Sequence, residues 1–528
     1  MRLPSIVALA FVVAGCGSKP ANTTTGPSTS GPPAYGGLPA TPLTASAAQR
    51  LLMQGTFGAT LDGISSLTGQ TYAQWFGAQQ AAPVSLLMPA ATQSNSDLYV
   101  PWWTIAVNGP DQLRQRVGFA LSQILVISNA STAENSQSMA GYADIISNGA
   151  LGNFRDLLGN VTLSMGMGQY LTYFRNNKPN PATGSHADEN YAREVMQLFT
   201  VGLVMLNPDG TVIKDSSGNP TPTYGLPEIE NMARVFTGWA STPIPPHMVS
   251  DDSGWLYDTD NLHPMVCYPQ HHDTDAKTII GGVVIAAGGT CQSDTDTALD
   301  TLFNHPNVGP FIGKQLIQRL VTSNPSPGYV SRVASAFANN GSGVRGDLLA
   351  TVEAVLSDQE AVNPGMASKL REPVLRFTEL YRAFGATDVA NDGKIPEYQV
   401  VTRQGFLNWD ENIYSSPTVF NFYRPDYERP GPLLTAGLVV PEFQITNEYT
   451  SVVLTNQVEV STYQYQDSTG AQFSEPDNNV EATGPTSVML HTAEWEPFAS
   501  DPGTLVDNLN TVLMSGQMPP AMRFSASA

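Results

Sequence analysis

The segment from Ser185 to Gly202 constrains the fold more than any other stretch, because it is predicted to be one helix with a signal at each end. Ser185 followed by Asp188 resembles a capping box, and Gly202 can end a helix because glycine adopts the left-handed conformation without strain. Apolar residues at helical spacing form a predicted core face: Ala192, Val195, Phe199 and Gly202. Two polar rows lie beside that face: Glu189, Arg193 and Gln197, and Asn190 with Glu194. This segment therefore predicts a helix that is buried on one side and charged on another.

Helical periodicity recurs along most of the chain. It predicts further helices near residues 44–54, 72–80, 111–124, 153–158, 169–174, 227–238, 306–320, 330–338, 346–356, 373–384, 447–458 and 504–515. In the 111–124 helix, the period directs Leu113 and Val117 inward and leaves Arg114, Gln115 and Arg116 outside. The fold class is therefore mainly α, a large multi-helix globular domain with a long irregular insertion and small β-hairpins.

The net charge and the length of the chain limit which partners it can bind and how it divides into domains. The chain has 528 residues and a formal net charge of -21, so nucleic acid is excluded as a partner because its phosphates would be repelled. A chain of this length exceeds one small core, and it divides into a helical core domain at 44–385 and a helical, loop-rich part at 386–528 packed on it.

The N-terminus predicts export and a lipid anchor. A positive start and a short apolar run form a signal peptide over residues 1–15, and Val13-Ala14-Gly15-Cys16 resembles the lipobox of bacterial lipoproteins. Lipidated Cys16 and the Gly, Ser, Thr and Pro-rich tether that follows to residue 43 would hold the folded body off a membrane. Gly17 stands where an aspartate retains lipoproteins at the inner membrane of enteric bacteria, which favours the outer membrane.

Residues 240–300 differ from the rest of the chain, because helical periodicity disappears and aspartate and histidine become frequent. Residues 278–285 predict a hairpin on a two-residue turn at Gly281-Gly282. Three Asp-Thr-Asp tripeptides, starting at residues 258, 273 and 294, lack the glycine and terminal glutamate of an EF-hand loop. Cys267 and Cys291 are the two cysteines left after Cys16, and they form either a disulfide or two buried thiols.

Several blocks of sequence follow one another in order along the chain: residues 55–58 (GTFG), 113–117 (LRQRV), 153–158 (NFRDLL), 189–194 (ENYARE), 198–202 (LFTVG), 233–239 (ARVFTGW), 271–273 (HHD) with Lys277, 369–373 (KLREP) and 419–423 (VFNFY). Together these blocks resemble the bacterial domain of unknown function 1800 family from about residue 45 to near the end. The resemblance implies an exported bacterial protein of unsettled activity, and it suggests a sulfatase-like exported partner encoded nearby. It implies no catalytic residues.

The sequence contains no Gly-x-Ser-x-Gly, His-Glu-x-x-His, phosphate-binding loop or Cys-x-x-Cys motif, which argues against the enzymes that use them. Eight residues remain as a candidate polar cluster: Asn190, Arg193, Glu194, Arg234, His271, His272, Asp273 and Lys277. Four of them are candidate ligands of a divalent metal: His271, His272, Asp273 and Glu194. The plainer interpretation is that the histidine caps a turn and Asp273 binds backbone N–H groups.

Two functions stay open at this point, and the sequence does not decide whether the chain is an enzyme. The first is a membrane-anchored envelope protein with a structural or binding role, acting with a partner or a surface polymer. The alternative is a metal-assisted hydrolase with its site between the 185–202 helix and the 271–277 loop.

Overall fold

The protein is represented by a computed structural model that describes residues 36–88, 96–129, 136–242, 249–250, 256–257, 263–363, 369–388, 411–453, 455, 464–466, 472–474 and 488–527. The predicted signal peptide, Cys16 and most of the tether lie outside these residues. So do the Asp-Thr-Asp tripeptide at 258 and parts of the predicted helix at 447–458.

Helices make up most of the described structure, which confirms the mainly α fold class. They are α1 (Ala45–Gly55), α2 (Leu61–Leu67), α3 (Tyr72–Ala81), α4 (Ser96–Asn108), α5 (Gln112–Ser122), α6 (Ser136–Gly149), α7 (Phe154–Leu163), α8 (Met165–Tyr170), α9 (Asn190–Gln197), α10 (Leu226–Val235), α11 (Cys291–Asn304), α12 (Val308–Leu320), α13 (Pro327–Ala338), α14 (Leu348–Ser357), α15 (Gln359–Val362), α16 (Pro373–Ala383), α17 (Pro432–Thr435), α18 (Pro502–Met514) and α19 (Pro520–Ser527).

Short side chains set many of the helix starts. Thr44 accepts a hydrogen bond from the Ala47 backbone at the start of α1, and Asn153 does the same for Arg155 at the start of α7. Each bond satisfies an N–H group that has no partner inside the helix, which is worth about 1 kcal/mol. The helices predicted near residues 44–54 and 153–158 are confirmed as α1 and α7.

The central helix is shorter than predicted. It begins at Asn190 rather than near Ser185, because Asp188 makes its bonds outside a helix. The Asp188 carboxylate accepts from the Asn190 backbone and from the Thr172 hydroxyl, both at 2.9 Å. The Asn176 side chain in turn accepts from the Asp188 backbone N–H at 2.9 Å. The helix also ends earlier than predicted, at Gln197 rather than at Gly202, although Gly202 does adopt the left-handed conformation, with a φ of 71°.

The predicted core face of α9 is confirmed. Ala192, Val195 and Phe199 are all buried, and α9 packs against α10. They belong to one continuous apolar core that extends from Leu43 near the start of the described chain to Met522 near its end.

Helix α5 contradicts the predicted outer face. Leu113 and Val117 are buried as expected, but Arg114, Gln115 and Arg116 are buried as well. Periodicity failed here because α5 is enclosed on every side, where its long polar side chains reach backbone carbonyls and other polar groups. Arg114 donates to the Ser147 carbonyl, and Arg116 donates to the Arg319 carbonyl.

The strands are short and pair two by two, all antiparallel, within the described residues. β1 (Trp239–Ala240) pairs with β4 (Val266–Cys267), β2 (Val249–Ser250) with β3 (Leu256–Tyr257), β5 (Lys277–Thr278) with β6 (Val284–Ile285), β7 (Thr387–Asp388) with β10 (Val488–Met489) and β8 (Gln464–Gln466) with β9 (Gln472–Ser474).

The predicted hairpin corresponds to β5 and β6, but its turn has three residues rather than two. The Ile279 N–H donates to the Val283 carbonyl, which leaves Ile280, Gly281 and Gly282 in the turn. Gly281 and Gly282 have φ values of 71° and 72°, which glycine adopts without strain.

The irregular segment also ends earlier than predicted. Helix α11 starts at Cys291 instead of after residue 300, because Thr290 and Ser293 form a capping box there. Among the residues that the structure describes, none of the helices has the length and apolar character needed to span a membrane.

Candidate functional site

Part of the predicted polar cluster forms where α10, the start of the β5–β6 hairpin and the first turn of α11 meet. We call Arg234, His272, Asp273, Lys277 and Asp294 the hairpin cluster. The Arg234 guanidinium contacts both carboxylate oxygens of Asp273, with Nε–Oδ2 at 2.7 Å and Nη2–Oδ1 at 3.0 Å. The Lys277 ammonium lies 2.8 Å from Asp294 Oδ2, and both of these side chains are buried. Each of the two carboxylates therefore has a cationic partner.

The two adjacent histidines contact different parts of the molecule. Nε2 of the buried His272 lies 3.3 Å from Asp294 Oδ2, and its Nδ1 lies 2.9 Å from the Thr237 carbonyl oxygen. His271 instead places Nδ1 2.7 Å from the Asn177 side-chain oxygen. His272 therefore contacts the hairpin cluster through Asp294, whereas His271 contacts Asn177.

A disulfide links the same two regions. Cys267 in β4 is bonded to Cys291, the first residue of α11, with their Cα atoms 5.7 Å apart. Gly238 makes this approach possible: a Cβ atom there would lie 2.9 Å from Cys291 Sγ and 3.0 Å from His272 Cβ. The disulfide and the hairpin cluster together fasten the irregular segment to α10 and α11.

The three predicted residues on α9 make their contacts elsewhere. Asn190 donates to the Thr172 hydroxyl at 2.8 Å, and Arg193 forms an ion pair with Glu189 within its own helix. Glu194 is the exception, because its Oε2 is buried without a hydrogen-bond partner among the described residues. Burial raises the pKa of Glu194, and the charge of Arg193 partly opposes that rise. The structure thus brings together Arg234, His272, Asp273 and Lys277, and within the described part of the chain no hydrogen bond or ion pair joins them to these α9 side chains.

The hairpin cluster is already neutralised by the protein's own cations. Burial alone would raise the pKa of Asp273, but its bonds to Arg234 and the Asp275 backbone, with the charge of Lys277, lower the pKa overall. A metal ion would have to displace Arg234 or Lys277 to reach these carboxylates. In the described ranges, no three His, Cys, Asp or Glu side chains are arranged to hold a metal ion.

A second polar group, buried more deeply, was not predicted. We call Arg116, Lys369, Glu372, Glu411, Tyr423 and Glu442 the carboxyl cluster. Glu372 is fully buried at the start of α16, where it accepts hydrogen bonds from Gln123 Nε2 at 2.8 Å and from the Tyr423 hydroxyl. Glu411 accepts from the Val374 backbone N–H at 3.0 Å, also in the first turn of α16. Burial and the negative charge of Glu372 raise the pKa of Glu411 well above its ordinary value.

Cations surround this pair of carboxyl groups. Lys369 forms an ion pair with Glu442. Arg116 is 1% exposed and its charge acts on Glu372, yet its Nε and Nη1 have no hydrogen-bond partner among the described residues. A neighbouring ion pair joins Arg371 to Glu379 at 2.9 Å. The site therefore holds several charges away from water, an arrangement that is costly unless the groups compensate one another.

The sequence contained part of the signal for this cluster. Arg116, Lys369, Glu372 and Tyr423 all belong to the blocks that carry the family resemblance, LRQRV, KLREP and VFNFY, and the fold brings these distant blocks together. Glu372 also stands before Pro373, a position typical of a helix start. Glu411 and Glu442 lie in segments without periodicity, and nothing in the sequence distinguishes them from surface glutamates.

No curated protein and no solved structure matches the chain. The sequence model of the family described as "Protein of unknown function (DUF1800)" does match, over residues 50–528. This match spans nearly all of the described structure, including both clusters. The protein therefore belongs to the DUF1800 family.

Proposed function

We propose that this protein is an exported bacterial envelope protein, anchored in the outer membrane by lipid on Cys16, that works by binding a partner or a surface polymer. The observation that carries the anchor is the order of elements along the chain. A lipobox ending at Cys16 is followed directly by a tether with almost no charge, and the first helix starts only at Ala45 after its Thr44 cap. A sulfatase-like exported protein is the partner that the family resemblance suggests.

Both carboxylates of the hairpin cluster already have cationic partners, which supports a binding role over metal-assisted hydrolysis. Asp273 and Asp294 contact Arg234 and Lys277, so neither carboxylate is available as a metal ligand without breaking a buried ion pair. His272 is 1% exposed, which leaves no access for a substrate at its ring. No observation favours the hydrolase at this site.

Lipid labelling in a Gram-negative host tests the anchor. We expect radiolabelled palmitate to be incorporated into the wild type and not into Cys16→Ala, because only the cysteine thiol can be lipidated. Gly17→Asp is the matched control: it should keep the lipid but move from the outer to the inner membrane fraction. An unlabelled wild type, or label retained in Cys16→Ala, would contradict the anchor.

Metal analysis of the purified protein, with a hydrolase screen on polysaccharides and esters, tests the choice of binding over turnover. We expect neither a stoichiometric metal nor turnover. A stoichiometric metal that is lost in Asp273→Asn, together with hydrolysis that is lost in the same variant, would instead establish the metal-assisted hydrolase.

A further inference from the structure

We propose that His272 is a buried imidazolium cation, and that its two ring protons fasten residues 268–290 to the end of α10 and to α11. The side chain is 1% exposed and lies where these two helices meet that segment. The inference concerns the hairpin cluster alone, so it stands or falls independently of the proposed membrane anchor and binding role.

The first ring nitrogen, Nδ1, must carry a proton because its described partners are acceptors. It lies 2.9 Å from the Thr237 carbonyl oxygen, which can only accept a hydrogen bond. The Thr237 hydroxyl is 3.3 Å away, but its proton is already donated to the Arg234 carbonyl oxygen at 2.7 Å. Nδ1 therefore donates to Thr237.

The second ring nitrogen, Nε2, faces a carboxylate oxygen, Asp294 Oδ2, at 3.3 Å. The Lys277 ammonium donates to the same oxygen at 2.8 Å, and its other protons point to the Asp273 and Asp275 carbonyl oxygens. A proton on Asp294 would leave this buried ammonium group without its closest negative charge, which is costly. Asp294 is therefore ionised and Nε2 is the donor. With a proton on each nitrogen, the ring is positively charged.

The surrounding charges compensate the cation. Three elements meet around the ring: the end of α10, the segment that contains the hairpin, and the first turn of α11. Each of them contributes charged groups, which pair with one another as buried charges must. The cations are His272, Lys277 and Arg234, and the carboxylates are Asp294, Asp273 and Asp275, of which Asp275 lies at the surface and acts on Arg234.

Loss of one ring proton would loosen the segment without detaching it. A neutral ring donates from only one nitrogen, so the other nitrogen would turn a lone pair toward an oxygen of Thr237 or Asp294. The disulfide between Cys267 and Cys291 would still hold both ends of the segment. We therefore expect a local opening around the β5–β6 hairpin that is reversed when the proton returns.

NMR of the folded protein, labelled with nitrogen-15 in its histidine rings, tests the charge directly. At neutral pH we expect the two nitrogens of His272 to have similar chemical shifts, as in an imidazolium, rather than the widely separated shifts of a neutral ring. Loss of these signals in His272→Gln identifies them. A neutral pattern for His272 would overturn the proposal.

A matched pair of substitutions on α11 tests the assignment of the second proton. Asp294→Asn should make the His272 ring neutral, because an asparagine amide can donate to Nε2. Asp296 is 49% exposed and contacts Arg155 instead, so Asp296→Asn should leave the imidazolium pattern unchanged. An imidazolium pattern that survives in Asp294→Asn, or disappears in both variants, would contradict the assignment. If the variants of the cluster do not fold, the wild-type spectrum still decides, because a spectrum in which every histidine ring is neutral overturns the proposal.

Hydrogen exchange of residues 272–285 over a pH series tests the consequence. Protection is measured as the exchange rate relative to the unfolded peptide at the same pH, which removes the chemical effect of pH. We expect it to fall by about tenfold or more at the pH where the NMR signals show that the ring loses its proton, because a hydrogen bond to a charged group is lost. Protection that stays constant through this step would show that the proton does not fasten the segment.

Discussion

The hairpin cluster and the carboxyl cluster use the same kinds of buried side chain but arrange them differently. In the hairpin cluster, each carboxylate contacts a cation: Asp273 contacts Arg234, and Asp294 contacts Lys277. In the carboxyl cluster, two buried carboxyl groups lie at the start of the same helix: Glu372 precedes α16, and Glu411 accepts from the Val374 backbone N–H in its first turn. The pKa of Asp273 is consequently lowered, whereas the pKa of Glu411 is raised. At Glu411 burial is the largest cause of the rise and the charge of Glu372 adds to it, whereas at Asp273 the bonds and charges of its partners outweigh burial.

This difference gives the two clusters different roles in the fold. The hairpin cluster, with the Cys267–Cys291 disulfide beside it, fastens an irregular segment through ion pairs and a covalent bond. The carboxyl cluster fastens the segment 411–446 through hydrogen bonds and an ion pair made by Glu411, Tyr423 and Glu442. In and beside the carboxyl cluster burial raises the pKa of Glu411 and Glu379, so the stability of this region should depend on pH. Three substitutions test this contrast.

Asp294→Asn should produce the largest loss of stability. Asp294 is 1% exposed and is the carboxylate partner of Lys277, so its removal leaves a buried ammonium group without its closest negative charge. Breaking a buried ion pair by removing one partner costs about 3–5 kcal/mol. Denaturant unfolding at neutral pH should show a loss in this range.

Asp296→Asn is the matched control, two residues further along the same helix. The Asp296 side chain is 49% exposed and pairs with Arg155, so its loss should cost less than about 1 kcal/mol. Equal losses in the two variants would mean that the hairpin cluster is no stronger than a surface ion pair.

Glu379→Gln should change the pH dependence of stability. Burial raises the pKa of Glu379 from 4.5 to about 7, although Arg371 and Arg376 oppose the rise. Because the folded state holds this proton more tightly, stability is highest below pH 4.5 and is lost as pH rises toward 7, by about 3 kcal/mol.

The variant should therefore resemble the wild type at low pH and exceed its stability near neutral pH. Denaturant unfolding at several pH values measures this difference. A wild type whose stability rises between these pH values, with no change of slope in Glu379→Gln, would show that Glu379 is ionised throughout.

The fold could be predicted from sequence wherever one face of a helix meets the core. Helical periodicity predicted α1 and α7 near residues 44–54 and 153–158, and the structure shows that Thr44 and Asn153 cap them. Helix α5 shows the limit of that argument. Its polar residues were assigned to solvent because periodicity separates apolar from polar side chains, but it cannot show that a second layer of the protein covers the polar side.

Some residues of the candidate sites could likewise be predicted from the sequence, and others could not. Arg234, His272, Asp273 and Lys277 were predicted to meet because they lie in two nearby segments of the chain, and the structure brings them together. Their partner Asp294 was noted only as one of many aspartates. Lys369 and Glu372 lie in the same block of sequence, but Glu442, seventy residues after Glu372, is brought to Lys369 by long-range packing that has no local signature.

The smallest effect is expected for Arg193→Gln. Arg193 was predicted to join Arg234 and Asp273, but it pairs with Glu189 one turn earlier on α9, with side chains 42% and 30% exposed. Such a pair contributes about 0.3 kcal/mol, because water and salt screen its charges. Arg234→Gln is the matched comparison: its guanidinium binds a largely buried Asp273, and its loss should cost about 2 kcal/mol, less than for a fully buried pair. Thermal unfolding of both variants measures this difference. A loss in Arg193→Gln as large as in Arg234→Gln would mean that the charge of α9 does act on the hairpin cluster, and that the polar cluster first predicted from the sequence is one energetic unit.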